Sequence, residues 1–108
     1  MPRHQSATAH ELARISMLAG IPGETLGKLA ERMERISLDA GETIAESRAP
    51  GSFYVVLSGM LSGGGLLRPG DYFGAGRPFV EARALMPSVV AACDRETYEL
   101  YVASPPGQ

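Results

Sequence analysis

The sequence predicts a single α+β domain, mainly β, in which two helices precede a rolled antiparallel sheet. A length of 108 residues fits one compact domain. Apolar residues recur at helical spacing up to residue 33, whereas from residue 35 onward short apolar runs alternate with polar residues. Glycines separate these runs and supply the sharp corners that a rolled sheet needs.

Composition and charge exclude several classes of protein. Apolar residues make up 44% and charged residues 20%, as in ordinary globular proteins, so the chain is expected to fold. The net charge of −2 is spread along the chain without a basic stripe, which predicts no nucleic-acid partner. No apolar run approaches the roughly 18 to 20 residues of a membrane span, and the first residues lack a signal-peptide core. A single cysteine agrees with a reducing compartment, so we expect a cytoplasmic protein with no membrane contact.

Two helices are expected before the first strand. Residues 1–7 carry no periodicity and are predicted to be a disordered arm. Thr8 and Glu11 have the spacing of a capping box, from which a first helix is expected to run to about Ala19. Pro22 is typical of the first turn of a second helix. The core-facing residues expected in that helix are Leu26, Leu29, Ala30 and Met33.

Short strands are expected from residue 36 to residue 67. Ile36 and Leu38 alternate with polar residues, and residues 43–45 resume the pattern after Gly41, which predicts two strands around a turn. Residues 53–61 give the strongest strand signal, interrupted by Gly59, which suggests a bulge or a close approach of another chain segment. The three glycines at 63–65 predict a tight hairpin to Leu66 and Leu67, and residues 68–71 have turn chemistry.

The last third of the chain is predicted to contain one helix and two strands. Residues 77–86 are expected to form a short helix with Pro78 in its first turn. Residues 88–93 and 97–102 are predicted to be closing strands, with Tyr98 and Tyr101 on opposite faces of the second strand. Residues 104–108 are predicted to be a disordered tail.

Four segments of the sequence have to be considered together: residues 18–22 (LAGIP), 39–44 (DAGETI), 53–59 (FYVVLSG) and 67–74 (LRPGDYFG). In order and approximate spacing they resemble the cyclic nucleotide-binding domain superfamily of catabolite-activator-type regulators, kinase regulatory subunits and gated channels. The resemblance covers roughly residues 9–103, and we expect the domain to span residues 8–103. It implies a jelly-roll β-barrel preceded by helices.

The resemblance also implies a ligand site, the phosphate-binding cassette. In that family an arginine and a helix N-terminus meet the cyclic phosphate, and the glutamate of a Phe-Gly-Glu motif accepts from the ribose hydroxyl. Here Phe73 and Gly74 match, but Ala75 occupies the glutamate position. Aligning residues 89–91 with the next strand places Leu85 at the arginine position, or Ala84 if there is a one-residue insertion. The cassette is therefore predicted to be degenerate.

Two arginines near the altered cassette leave an alternative open. Arg77 and Arg83 would rebuild an anion site if they pointed inward, since Arg77 just precedes the turn at Pro78; otherwise both are solvated surface residues. The candidate ligand-binding residues are Phe73, Gly74, Ala75, Arg77, Arg83, Leu85 and Ser88. The candidate structural glycines are Gly41, Gly59, Gly70 and Gly74.

No pattern in the sequence predicts an enzyme, a metal site or a cofactor. His4 and His10 are too few for a zinc site, which needs three or four ligands. Cys93 lies in an apolar run, where a buried and inert thiol is expected. The glycines at 63–65 are not followed by the lysine of a phosphate-binding loop.

Two functions are consistent with this sequence. The first is a non-enzymatic regulatory or interaction module that has lost cyclic-nucleotide binding, and the alternative is a sensor that binds a cyclic nucleotide or another ligand through a rearranged pocket. A chain without a C-terminal helix would leave the pocket mouth uncovered, which predicts a homodimer or docking on another protein. The interface candidates are Phe79, Val80 and Leu85, with Leu12, Ile15 and Met17 of the first helix.

Overall fold

The computed structural model describes residues 9–15, 18, 20–45, 51–74 and 81–103. The helices are α1 (Ala9–Ala13), α2 (Gly23–Arg32) and α3 (Arg95–Tyr98), and a π-helical turn, Glu99–Ala103, continues α3. The strands are β1 (Glu34–Leu38), β2 (Thr43–Ala45), β3 (Phe53–Ser58), β4 (Leu61–Ser62), β5 (Leu66–Leu67), β6 (Tyr72–Gly74), β7 (Glu81–Ala84) and β8 (Ser88–Cys93). The predicted arm, the predicted tail and Thr8 of the expected capping box lie outside the described residues.

Among the described residues, eight strands form two antiparallel sheets of four. The first sheet has the order β1-β8-β3-β6 and the second has the order β2-β7-β4-β5. The predicted mainly-β class is therefore confirmed. In the described part of the chain no strand pairing joins the two sheets, so these residues do not form the closed jelly-roll barrel that the resemblance implies.

The first sheet is buried on both faces because helices cover one face and the second sheet covers the other. Alternate residues of β3 divide between the two sides: Phe53 and Val55 face the helices, whereas Tyr54 and Val56 face the second sheet. The helix-side cluster contains Leu12, Ile15, Leu18, Leu26, Leu29, Ala30, Met33, Phe53, Val55, Ala91 and Cys93. The inner cluster contains Leu38, Tyr54, Val56, Leu61, Phe73, Ala82, Ala84 and Val90.

The first helix is shorter than the sequence predicted. It ends at Ala13, and the N–H groups of Ile15, Leu18 and Ile21 then donate to carbonyls three residues earlier at 2.9–3.1 Å. The apolar residues Leu12, Ile15 and Leu18 are spaced by three, which matches tight turns of three residues better than a regular α-helix. Because Leu12 and Ile15 are 0% and 4% exposed, the expectation that they form an exposed interface is wrong. Met17 lies outside the described residues.

The second helix begins directly after Pro22, whose carbonyl accepts from the N–H of Leu26 at 2.8 Å. All four residues of its predicted apolar stripe are buried against the first sheet. The buried stripe therefore fixes α2 to one face of the first sheet, and the other face of that sheet packs on the inner cluster.

Residues 81–84 form strand β7, so the helix predicted over residues 77–86 is wrong in this part; residues 77–80 are not described. Ala82 and Ala84 are buried while Glu81 and Arg83 are exposed, an alternation that fits a strand covered on one face. β7 lies between β2 and β4, and these two ladders outweigh the helix propensity of its alanines.

The strand predicted for residues 97–102 is also wrong, because residues 95–103 are helical. Asp94 caps this helix by accepting from the N–H of Thr97 at 2.8 Å. The ring of Tyr98 lies 4.7 Å from that of Phe53, and Tyr101 packs on the same helix-side cluster under the guanidinium of Arg32. The two tyrosines therefore do not occupy opposite faces, and a helix does follow the last strand.

Candidate functional site

The candidate site lies where β6 of the first sheet leads to β7 of the second sheet. Phe73 and Gly74 end β6, and the chain is described again from Glu81. Of the predicted site and interface residues, Ala75, Arg77, Phe79 and Val80 lie outside the described residues. The geometry of the site is thus defined by its two flanks, the end of β6 and residues 81–88.

Phe73 forms part of the floor between the two sheets. Its ring stacks on that of Tyr54 with centroids 4.8 Å apart and planes 11° apart. Both side chains are buried in the inner cluster, 4% and 5% exposed. Phe73 therefore acts in the core beneath the cassette and positions β6 against β3.

Gly74 marks a close approach between two segments of backbone. Its φ is +85°, a region that residues with a Cβ rarely adopt, and a Cβ at this position would overlap the carbonyl oxygen of Ser52. The pairing of Gly74 with Phe53 brings the start of the cassette directly against the start of β3. The sequence motif Phe-Gly thus has a steric reason that is independent of any ligand.

Arg83 lies on the outer face of the second sheet. It pairs with Thr43 of β2 and with Ser62 of β4, and all three residues are exposed. Its neighbours Ala82 and Ala84 point to the inner cluster, and successive side chains of a strand point to opposite faces. Arg83 consequently points away from the space between the two sheets.

The two positions that the resemblance allows for the phosphate-binding arginine differ in exposure: Ala84 is buried in the inner cluster, whereas Leu85 faces solvent. Leu85 is 51% exposed and Met86 is 46% exposed in the turn between β7 and β8. The backbone of this turn is held by the N–H of Leu85, which donates to the carbonyl of Met60 at 2.9 Å. The turn is therefore fixed by its backbone, while its two large side chains face solvent.

Ser88 is 3% exposed, and its hydroxyl is used by the backbone around it. The hydroxyl accepts from the N–H of Met60 at 3.0 Å and donates to the carbonyl of Met86 at 2.7 Å. The first bond joins the start of β8 to the β3–β4 corner, and the second lies within the β7–β8 turn. Ser88 thus has a structural contact where the sequence suggested a ligand contact.

Cys93 ends β8 and is 5% exposed. Burial, together with the negative charge of Asp94, raises the pKa of its thiol to about 12. The thiol is therefore protonated at neutral pH, which is the opposite of an activated nucleophile. In the described part of the chain no three His, Cys, Asp or Glu side chains are grouped as metal ligands, and no helix is long and apolar enough to span a membrane.

Sequence reasoning missed a second group of polar residues, on the helix side of the first sheet. Glu11, Arg14 and Arg35 line a cleft there together with the end of β3. Arg14 and Arg35 are separated by a whole helix in the sequence, and no motif or periodicity links them. Only the pairing of β1 next to β8, with α1 packed over the sheet, brings them to one place.

No protein-family model matches this sequence, and no curated protein matches it. Solved structures do match, at probability 1.00. The cAMP-bound protein PfPKA-R is similar with a TM-score of 0.77 and 20% identity, over 90% of this chain and 39% of that protein. A regulatory subunit of a cAMP-independent protein kinase A from Trypanosoma cruzi, bound to guanosine, is similar with a TM-score of 0.75 and 19% identity. The match covers 89% of this chain and 40% of that chain.

A cAMP-binding acyltransferase from Mycobacterium smegmatis is also similar, with a TM-score of 0.69 and 19% identity, over 92% of this chain and 36% of that protein. This chain therefore spans about two fifths of the length of the chains in these three structures. At such low identity the comparisons establish the fold: this chain has the fold of cyclic nucleotide-binding domains, and the predicted resemblance is confirmed at that level.

Proposed function

We propose that this chain is a non-enzymatic regulatory or protein-interaction module that keeps the cyclic nucleotide-binding fold and has lost phosphate-directed binding of cyclic nucleotides. The observation that carries the proposal is the pair Leu85 and Arg83. The position aligned with the phosphate-binding arginine holds Leu85, or Ala84 with a one-residue insertion, and the neighbouring Arg83 points outward from the second sheet.

Electrostatics supports a large loss of affinity. A hydrogen bond to a charged group contributes about 1.5–3 kcal/mol to binding. A phosphate buried in a pocket without a partner makes binding less favourable by more than that, because its desolvation is not compensated. Ala75 removes the glutamate that accepts from the ribose in the family, in addition to the missing arginine. Two such losses correspond to a decrease in affinity of roughly a hundredfold or more.

A second candidate function is a nucleoside sensor with a rearranged pocket. The T. cruzi regulatory subunit, whose structure is similar to this chain, is bound to guanosine, a ligand without a phosphate. A nucleoside does not need an arginine opposite a phosphate, so the substitution at Leu85 would not exclude it. This candidate keeps the regulatory class and changes the ligand.

Under the first proposal the module acts by protein contact, through self-association as a homodimer or by docking on another protein. Leu85 and Met86 project side by side from the β7–β8 turn and are about half exposed. We take this exposed apolar pair as part of the contact surface, since contiguous exposed apolar surface marks contact sites in soluble proteins. They replace the surface that the sequence suggested on the first helix.

One titration series tests the proposal. We expect calorimetry to detect no saturable binding of cyclic AMP or cyclic GMP at low micromolar concentration, since both charged contacts are missing. Guanosine and adenosine are titrated in parallel, because saturable binding of either would favour the nucleoside sensor.

Light scattering on the same samples over a concentration series measures self-association, and Leu85→Asp is expected to reduce it.

A double variant, Ala75→Glu with Leu85→Arg, restores the two charged groups. We expect it to bind cyclic AMP at least a hundredfold more tightly than the unaltered chain, whereas the matched variant Ala75→Glu with Leu85→Glu is not expected to gain affinity. Tight binding of cyclic AMP by the unaltered chain would refute the proposed loss. A strictly monomeric mass at every concentration would exclude the homodimer and leave docking on another protein.

A further inference from the structure

The helix side of the first sheet carries a cleft that is separate from the cassette. It has a volume of about 320 Å³ and is formed by the end of α1, β1, the end of β3 and the β5–β6 turn. This volume lies at the lower end of the roughly 300–1,000 Å³ that small-molecule sites occupy. None of its lining residues belongs to the candidate cassette, so it is a distinct site.

The charged residues of the cleft carry one net positive charge. The Nε atom of Arg35 donates to Glu11 at 3.2 Å, and the two side chains are 35% and 26% exposed. This bond orients the guanidinium of Arg35 and leaves its two Nη groups without a hydrogen-bond partner among the described residues. Arg14 lies on the same cleft, is exposed and forms no ion pair with any described residue. Two arginines therefore line this cleft, and both have N–H donors that bind no described residue.

The remainder of the cleft is apolar or backbone. Ile15 is 4% exposed, Leu57 is half-buried, and both pack on the helix-side cluster. Pro69, on the β5–β6 turn, also lines the cleft. A ligand that fits this lining has an apolar body and one anionic end.

The wall made by the β5–β6 turn is held in place by hydrogen bonds. The N–H of Asp71 donates to the carbonyl of Arg68 at 2.9 Å, and the N–H of Arg68 donates to the Asp71 carboxylate at 2.7 Å. The N–H of Gly70 donates to the carbonyl of Val56 at 2.8 Å, which fixes the turn to β3. A preformed wall lowers the entropy that a ligand must lose on binding.

We propose that this cleft binds a carboxylate attached to an apolar group, with Arg14 and Arg35 on the carboxylate and the apolar group against Ile15, Leu57 and Pro69. Guanidinium groups bind carboxylates through paired hydrogen bonds. A carboxylate is preferred to a phosphate dianion because Glu11 lies beside the anion and the cleft has only one net positive charge. The carboxylate belongs either to a free organic acid or to the C-terminus of a peptide. The proposal does not depend on the function of the cassette.

The test is an NMR titration of isotope-labelled protein with two pairs of probes. Hydrocinnamate and its neutral amide represent a free acid; a short peptide ending in phenylalanine, with a free or an amidated C-terminus, represents a peptide. We expect saturable shifts of the backbone amides of Leu57, Ser58 and Gly70 with at least one acid and with neither amide. Binding of only one of the two acids identifies the source of the carboxylate.

Three glutamine variants complete the test. Arg14→Gln and Arg35→Gln are each expected to weaken binding about tenfold or more, since each removes a charged hydrogen bond. The matched control is Arg83→Gln, an exposed arginine of the second sheet, which is expected to leave binding unchanged. Arg14 is exposed, so its variant keeps the fold even if that of Arg35 does not. Equal shifts with acid and amide, no saturable shift, or an equal effect of Arg83→Gln would overturn the proposal.

Discussion

Two of the corners that carry the chain from the first sheet to the second differ in what surrounds them. Residues 39–42 connect β1 to β2, and residues 59–60 connect β3 to β4. Each corner contains a glycine in the left-handed region, with φ of +93° at Gly41 and +86° at Gly59. A Cβ on Gly41 would meet nothing within 4 Å, whereas a Cβ on Gly59 would overlap the hydroxyl of Ser88 and lie 2.6 Å from the carbonyl oxygen of Pro87.

The two corners therefore need glycine for different reasons: the first for its backbone conformation, the second for space as well. The second corner is tied through Met60 to Leu85 and Ser88, which flank the turn where the resemblance places the phosphate-binding arginine. In this protein the turn supports the corner through its backbone and through Ser88. The same residues that the sequence suggested as ligand contacts thus maintain the junction between the sheets.

Matched alanine substitutions at the two glycines test this difference and have the largest expected effect. Gly41→Ala is expected to destabilise the fold by about 1–2 kcal/mol, because only the left-handed backbone opposes it. Gly59→Ala adds displacement of the backbone at Pro87 and Ser88, for a total of about 3 kcal/mol or more. Thermal unfolding measures both, at roughly 4–8 °C per kcal/mol for a domain of this size. Equal shifts in Tm would mean that the second corner is not closely packed.

Ser88→Ala tests the hydrogen bonds at the same corner and has a smaller expected effect. The substitution removes the acceptor of the Met60 N–H. A partly buried donor left without a partner destabilises a protein by about 1–3 kcal/mol. The control is Ser62→Ala on β4, which is exposed and is expected to change stability by less than about 0.5 kcal/mol. A Ser88→Ala variant as stable as the control would show that water replaces the hydroxyl.

The sheets were largely predictable from sequence because their strongest signals are local. The apolar and aromatic run of β3, the glycine at its end and the alternation in β1 each specify a strand without knowledge of its neighbours. The apolar stripe after Pro22 indicated α2 in the same way. The predictions for residues 81–84 and 97–102 were wrong because the local patterns there are short. Residues 81–84 form a strand because β7 pairs with two neighbouring strands, and residues 97–102 are helical after the cap formed by Asp94.

The candidate site was less predictable than the fold. Which way Arg83 points depends on the register of β7 against β2 and β4, and a shift of one residue would reverse it. The role of Ser88 depends on Met60, 28 residues away in the sequence. The cleft with Arg14 and Arg35 depends on the packing of α1 over the sheet. Such contacts between distant residues leave no periodic signal in one sequence.

Asp94→Ala removes a side-chain acceptor of a backbone N–H, as Ser88→Ala does, but at an exposed position. It has the smallest expected effect on stability. Asp94 caps α3 from an exposed position, so its loss is expected to destabilise the protein by about 1 kcal/mol. The hydrogen bonds from Thr97, and to a smaller extent the charge of Arg32, lower the pKa of Asp94 below its ordinary value of 3.8. Because the folded state has the lower pKa, the stabilisation is complete above pH 3.8 and is lost as the pH falls through the folded-state pKa. Urea unfolding of the unaltered protein and of Asp94→Ala, from neutral pH to below pH 3.8, should show that their stability difference shrinks at acid pH. Glu96→Ala, in the first turn of the same helix, controls for the loss of a nearby carboxylate. A difference that stays constant down to the lowest pH would mean that the cap does not depend on the charge of Asp94.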